Sequence, residues 1–209
     1  MNKIERMKQQ KKTFISIDFE TGGDDAEDSC ITEYGIAIIK DMKVKDSMSS
    51  LIKPYNKWRV DEKFLKYANI DVDELKACDY TIQNMVDDLC AVCNALNPDN
   101  NKYNRPTLVG HNLHEFDKPF LVKAFKICGK NIKDYFNFIS HDTLEMCSII
   151  FMNYYKIANL KLGTICDFFN ISFGKRHSAE EDAIACGKLF IILCKFYQNN
   201  FDKLKITNS

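Results

Sequence analysis

Two acids separated by one residue, Asp18 and Glu20, close a run of β-branched and aromatic residues, Thr13-Phe-Ile-Ser-Ile, in a pattern able to hold a cation. Side chains alternate along a strand, so positions two apart project to the same side. Two further acids sit where elements begin. Asp117 follows Val109-Gly110-His111-Asn112-Leu113, which reads as a strand end, a glycine turn and a helix start. Asp182 falls in the first turn of a helix opened by Ser178 and Glu181, spaced as a capping box, with His177 immediately before it. Hard cations such as Mg²⁺ or Mn²⁺ prefer oxygen ligands, hence carboxylates and no cysteine. An imidazole, with an unperturbed pKa near ~6.5, can accept a proton at neutral pH. Blander readings remain open: a D-x-E pair arises by chance, and Asp117 before Lys118-Pro119 also suits a helix cap.

The elements that must position these groups follow from periodicity. Strands are expected at Thr13–Asp18, Ile31–Ile39 and Ser47–Ile52, the three forming a meander. Apolar residues then recur at helical spacing from Asp61 to Leu96, ending in the polar loop at Asn97-Pro98-Asp99. Next come a short strand at Thr107–Val109, a helix over Asp117–Cys128, and a brief strand at Phe138-Ile139 running into Ser140-His141-Asp142. Helices over Thr143–Tyr155 and about Ala179–Phe196 complete the chain. Strands first and alternating helices and strands later imply an α/β fold with a mixed central β-sheet flanked by α-helices, acids gathered on one sheet edge.

The bulk properties set limits. The 209 residues suit one domain, and 45% apolar content is enough for a packed core. Residues 13–198 form the expected domain, after a flexible basic arm at 1–12 and before a tail at 199–209. Lys plus Arg and Asp plus Glu both total 29, so a nucleic-acid partner must be gripped locally rather than by the whole-protein field. Nine cysteines, an odd number, and no apolar run near the ~20 residues of a membrane span predict a reduced, cytoplasmic protein with no membrane partner. Cys90 and Cys93 lack a second pair at zinc-site spacing.

Three blocks in order, Asp18-Phe19-Glu20-Thr21-Gly22, Gly110-His111-Asn112 with Phe116-Asp117, and His177 five residues before Asp182, resemble the DEDDh (DnaQ-like) 3′-to-5′ exonuclease family. The resemblance runs from about Phe14 to Leu193, with weaker echoes, mostly at packing positions, at Glu33-Tyr-Gly-Ile-Ala, at His141-Asp142-Thr143-Leu144 and at Leu160, Leu162, Cys166 and Phe169 before the last block. It implies a ribonuclease H-like fold, two Mg²⁺ or Mn²⁺ ions held by Asp18, Glu20, Asp117 and Asp182, and His177 as general base. Two such ions, about 3.5–4 Å apart, stabilise the attacking and leaving oxygens of an in-line displacement. Thr21, His111 and Asn112 become candidate contacts to the terminal nucleotide, and Phe19 and Phe116 candidate stacking residues; Asp142 reads as a helix cap, and His114 and His141 as surface or packing residues. The expected substrate is DNA with a single-stranded 3′ end, and a DNA polymerase or other replication protein is the expected partner. An exoribonuclease, and a non-catalytic nucleic-acid-binding module on the same fold, are the alternatives. One oddity is the acidic stretch Asp24, Asp25, Glu27, Asp28, which would repel a nucleic-acid backbone unless its loop turns away.

Overall fold

The computed structural model describes residues 12–55, 59–152, 154, 156–172, 174 and 178–201; His177, Trp58 and most of the basic arm lie outside them. Strands β1 (Thr13–Thr21), β2 (Ile31–Lys40) and β3 (Lys43–Leu51) form the meander. They are followed by helices α1 (Glu62–Tyr67), α2 (Val72–Ala77) and α3 (Ile82–Leu96), strand β4 (Thr107–Gly110) and helix α4 (Asp117–Ile127). Strand β5 (Ser140–Asp142) and helices α5 (Thr143–Ile150), α6 (Leu162–Phe168) and α7 (Ala179–Phe201) complete the described chain. The sheet order is β3-β2-β1-β4-β5, with β1 antiparallel to β2, β2 antiparallel to β3, and β4 parallel to both β1 and β5.

The alternation along β1 decides which face each residue serves. Ile15, Ile17 and Phe19 join Ile82, Met85, Val86 and Leu89 of α3 and Phe120, Leu121 and Phe125 of α4 in one core. Phe14, on the opposite face, packs with Ile39, Val109 and the α7 residues Cys186, Phe190 and Ile191. Full burial of such a side chain contributes about 1.5–3 kcal/mol, so neither face can exchange with the other cheaply. Asp18 and Glu20 therefore share the α7 face, where Asp182 stands in the helix's first turn.

Several boundaries moved from expectation. The turn between β2 and β3 uses Asp41 and Met42, both at φ +53°, a two-residue hairpin that starts β3 at Lys43 rather than Ser47. The long helical region is three helices, because Asn69 turns left-handed (φ +56°) and Asp71 caps a new start with bonds from Asp73 and Glu74 N–H. Phe138 and Ile139 are not strand but exposed loop, 88% and 47% accessible, and only Ser140–Asp142 pairs with β4. Helix α5 stops at Ile150 instead of reaching Tyr155, since Phe151 turns to pack against Phe168 and Phe169, and α7 continues to Phe201 rather than ending near Phe196.

Candidate active site

The acids at the strand and helix ends meet in one pocket of about 470 Å³, lined by Asp18, Phe19, Glu20, Tyr67, His111, Asn112, Phe116, Asp117, Lys161, Leu162, Gly163, Thr164 and Asp182. Carboxylate oxygens of Asp18, Glu20 and Asp182 lie within 4.8 Å of one another. Asp117 is 2% exposed and accepts the Phe19 N–H at 2.9 Å, tying the start of α4 to β1. The cap reading of Asp117 fails, because it is the first helical residue and Phe116 holds the cap position without a side-chain bond.

The approach of α7 depends on Gly35, which pairs with Asp18. A Cβ there would stand 2.1 Å from the Ala179 carbonyl carbon and oxygen and 2.3 Å from the Glu180 nitrogen, so only glycine lets the helix start rest on the sheet. Three consecutive acids on that first turn then diverge, as the helical rotation requires. Glu180 accepts from Ser47 Oγ (2.6 Å) and Ser49 Oγ (2.9 Å) of β3, Glu181 accepts from Gly174 N–H (3.1 Å), and Asp182 faces the pocket.

Crowding the carboxylates out of water raises their pKa values. Burial, then Asp117, Asp182, Glu20 and Glu33, hold the Asp18 carboxyl well above the usual range. Burial, then Asp182 and Glu33, push Glu20 up to about 8. Burial is also the main cause that brings Asp117 to about 8, against the lowering effect of the Phe19 N–H. Glu33, directly across the sheet from Glu20, was legible only as a packing position, yet its charge bears on two of the four acids. An all-oxygen cluster whose ionised forms repel one another fits hard divalent cations.

A sign follows from these shifts. Between about pH 5 and 8 the folded, metal-free protein keeps protons that the unfolded chain has released, so its stability falls as pH rises through this window. Saturating Mn²⁺ replaces the protons and removes the repulsion. The gain in melting temperature on adding Mn²⁺ will therefore grow from pH 5.5 to pH 8.5; a gain that is flat or shrinks over that range contradicts the carboxylate cluster as the cation site.

The other predicted residues divide. Asn112, exposed and at φ +63°, and Phe116, half-buried on Phe120, reach the pocket. Phe19 lines it but is 3% exposed and belongs to the core. Thr21 does not line it: the alternation that puts Asp18 and Glu20 on one face puts Thr21 on the other, and its hydroxyl donates to the Gly23 carbonyl at 2.6 Å. His111 lines the pocket with both ring nitrogens engaged, Nε2 at 2.8 Å from the Leu160 carbonyl and Nδ1 at 2.9 Å from Thr143 Oγ1. A carbonyl only accepts, so Nε2 carries a proton, and burial, the largest influence, lowers the ring's pKa below the usual imidazole value. Asp142 caps α5 and accepts the N–H groups of Asn112, His114 and Leu144, which fixes the turn after β4. His114 bonds to Glu145 and Ser140, and His141 stacks on Phe190. Sequence reasoning missed Tyr67, Lys161, Gly163 and Thr164 as lining residues; of this segment Leu160 and Leu162 entered it, as packing positions before the last block.

The acidic loop after β1 does turn away. Asp25 bonds within the loop to Glu27 N–H, Asp24 lies 3.7 Å from Arg59, and Lys123 Nζ donates to the Ala26 and Glu27 carbonyls. None of its acids lines the pocket. Cys90 and Cys93 are buried in the α3 core, none of the nine cysteines is joined in a disulfide, and no described helix is long and apolar enough to cross a membrane.

Five strands in this order, helices on both faces and four converging acids define a ribonuclease H-like nuclease domain. The chain belongs to the exonuclease family whose RNase T-type model matches residues 15–190. It is 27% identical over 178 residues to the PolC-type DNA polymerase III of Caldanaerobacter subterraneus subsp. tengcongensis, covering 85% of this chain and 11% of that protein. It is 26% identical over 195 residues to the 3′-5′ exonuclease DinG of Staphylococcus aureus, covering 92% and 19%. E. coli exonuclease I in complex with a dT13 oligonucleotide superposes with a TM-score of 0.75 at 14% identity, over 92% of this chain and 43% of that one. The chain thus spans a small part of the length of the curated relatives it matches.

Proposed function

We propose that the protein is a 3′-to-5′ exonuclease that hydrolyses DNA from single-stranded 3′ ends. The observation that carries this reading is the convergence of Asp18, Glu20 and Asp182 oxygens within 4.8 Å beside buried Asp117. These four carboxylates would hold two Mg²⁺ or Mn²⁺ ions, which when bound stabilise charge on the attacking and leaving oxygens. His177, just before α7, accepts the proton of the attacking water as general base. Phe116 and Asn112 border the terminal nucleotide, with His111 on the same wall. Polymerase-containing and oligonucleotide-binding relatives favour DNA as substrate and a replication protein as partner.

The test uses matched DNA and RNA oligonucleotides labelled at the 5′ end, with and without a free 3′ hydroxyl, and a circular single strand. Stepwise shortening of the linear DNA is expected. Internal cutting of the circle at a comparable rate would overturn the exonuclease assignment, and faster loss of RNA would overturn the substrate.

A further inference from the structure

Once two divalent cations offset the four acids, the pocket no longer repels a phosphodiester strand, and a cationic side chain on its wall can hold one of the strand's neighbouring backbone phosphates. Among the described lining residues the one basic side chain is Lys161, which is exposed. Its segment is fixed from two sides. The Asn159 side-chain carbonyl accepts the Lys161 N–H at 3.0 Å and the Thr164 hydroxyl at 2.8 Å, shaping the turn that starts α6. The Leu160 carbonyl accepts from His111 Nε2–H, and His111 Nδ1 is held by the Thr143 hydroxyl.

We infer that Lys161 is a substrate-contacting residue whose ammonium holds a backbone phosphate of the strand's last nucleotides, and that His111 is the positioning residue that sets this wall through the Leu160 carbonyl. The inference rests on the nuclease reading above and deepens it. A lysine on a fixed turn supplies a point charge with rotatable donors, suited to a phosphate and blind to base identity. His111, with both nitrogens spent, has no free polar atom for the nucleotide.

The experiment compares wild type with Lys161→Gln, Lys161→Arg and, as a control, Lys45→Gln; Lys45 is exposed near the β2–β3 turn, far along the sheet from Asp18. Initial rates on a 3′-hydroxyl oligothymidylate in Mg²⁺ give KM and kcat, and affinity for the same strand is measured in Ca²⁺ from 50 to 300 mM KCl. Lys161→Gln will raise KM roughly 3- to 10-fold with kcat within about 2-fold, and will flatten the log–log salt dependence by about 0.7, the loss of one single-strand phosphate contact. Lys161→Arg will keep the wild-type slope. His111→Ala will flatten it similarly, and combining it with Lys161→Gln will flatten it no further, which a merely structural role would not produce. Wild-type KM and salt slope in folded Lys161→Gln overturn this inference while leaving the nuclease reading standing. Absence of hydrolysis by the wild type with either metal overturns both.

Discussion

Asp182→Asn will cut turnover by at least about 10³-fold while the metal-free protein melts at a higher temperature than wild type. The two effects have one cause. The charge of Asp182 raises the pKa of both Asp18 and Glu20, so it works against folding when no cation is bound, and the amide is nearly isosteric. With Mn²⁺ present the order reverses, because the variant binds the ion weakly and gains little stability from it. Calorimetric Mn²⁺ titrations, melting curves with and without EDTA, and single-strand degradation rates measure all three quantities. A structural role for Asp182 predicts the opposite: lower melting temperature without metal and normal turnover per folded molecule.

His177→Ala will lower turnover by about 10²–10⁴-fold with little change in Mn²⁺ affinity or melting temperature, since it removes a proton acceptor and leaves every carboxylate in place. The wild-type rate will rise with pH as the imidazole becomes neutral, and the variant will lose that rise. Near-normal turnover in folded His177→Ala removes the general base from this account. Comparing the two variants separates proton transfer from cation binding, although the residues stand five apart in sequence.

Period two at the end of β1 and the first turn of α7 placed Asp18, Glu20 and Asp182, while Asp117 and the grouping of all four acids rested on the resemblance to the family. The mixed sheet followed from the order of elements. Thr21 was assigned by its place in the motif, while the same alternation that pairs Asp18 with Glu20 sends it to the opposite face, outside the pocket lining. Phe19 shows the same conflict, with its side chain in the core. Other features depended on contacts between distant segments. Gly35 reads as an ordinary strand glycine until Ala179 is seen against it, and Glu180 looks equivalent to Asp182 until Ser47 and Ser49 bind it. Lys161 itself belongs to no motif, and its place on the pocket wall comes from its N–H bond to Asn159 and from the His111 bond to the preceding Leu160 carbonyl, which spacing alone does not reveal.

The most direct test of the central claim, that this carboxylate pocket is a cation-dependent centre acting on 3′ ends, is the shortening rate of one 5′-labelled single strand measured after exhaustive chelation and again after Mg²⁺ is restored. The account predicts no detectable shortening in EDTA and stepwise loss from the 3′ end once Mg²⁺ returns; undiminished shortening in the chelated protein contradicts it.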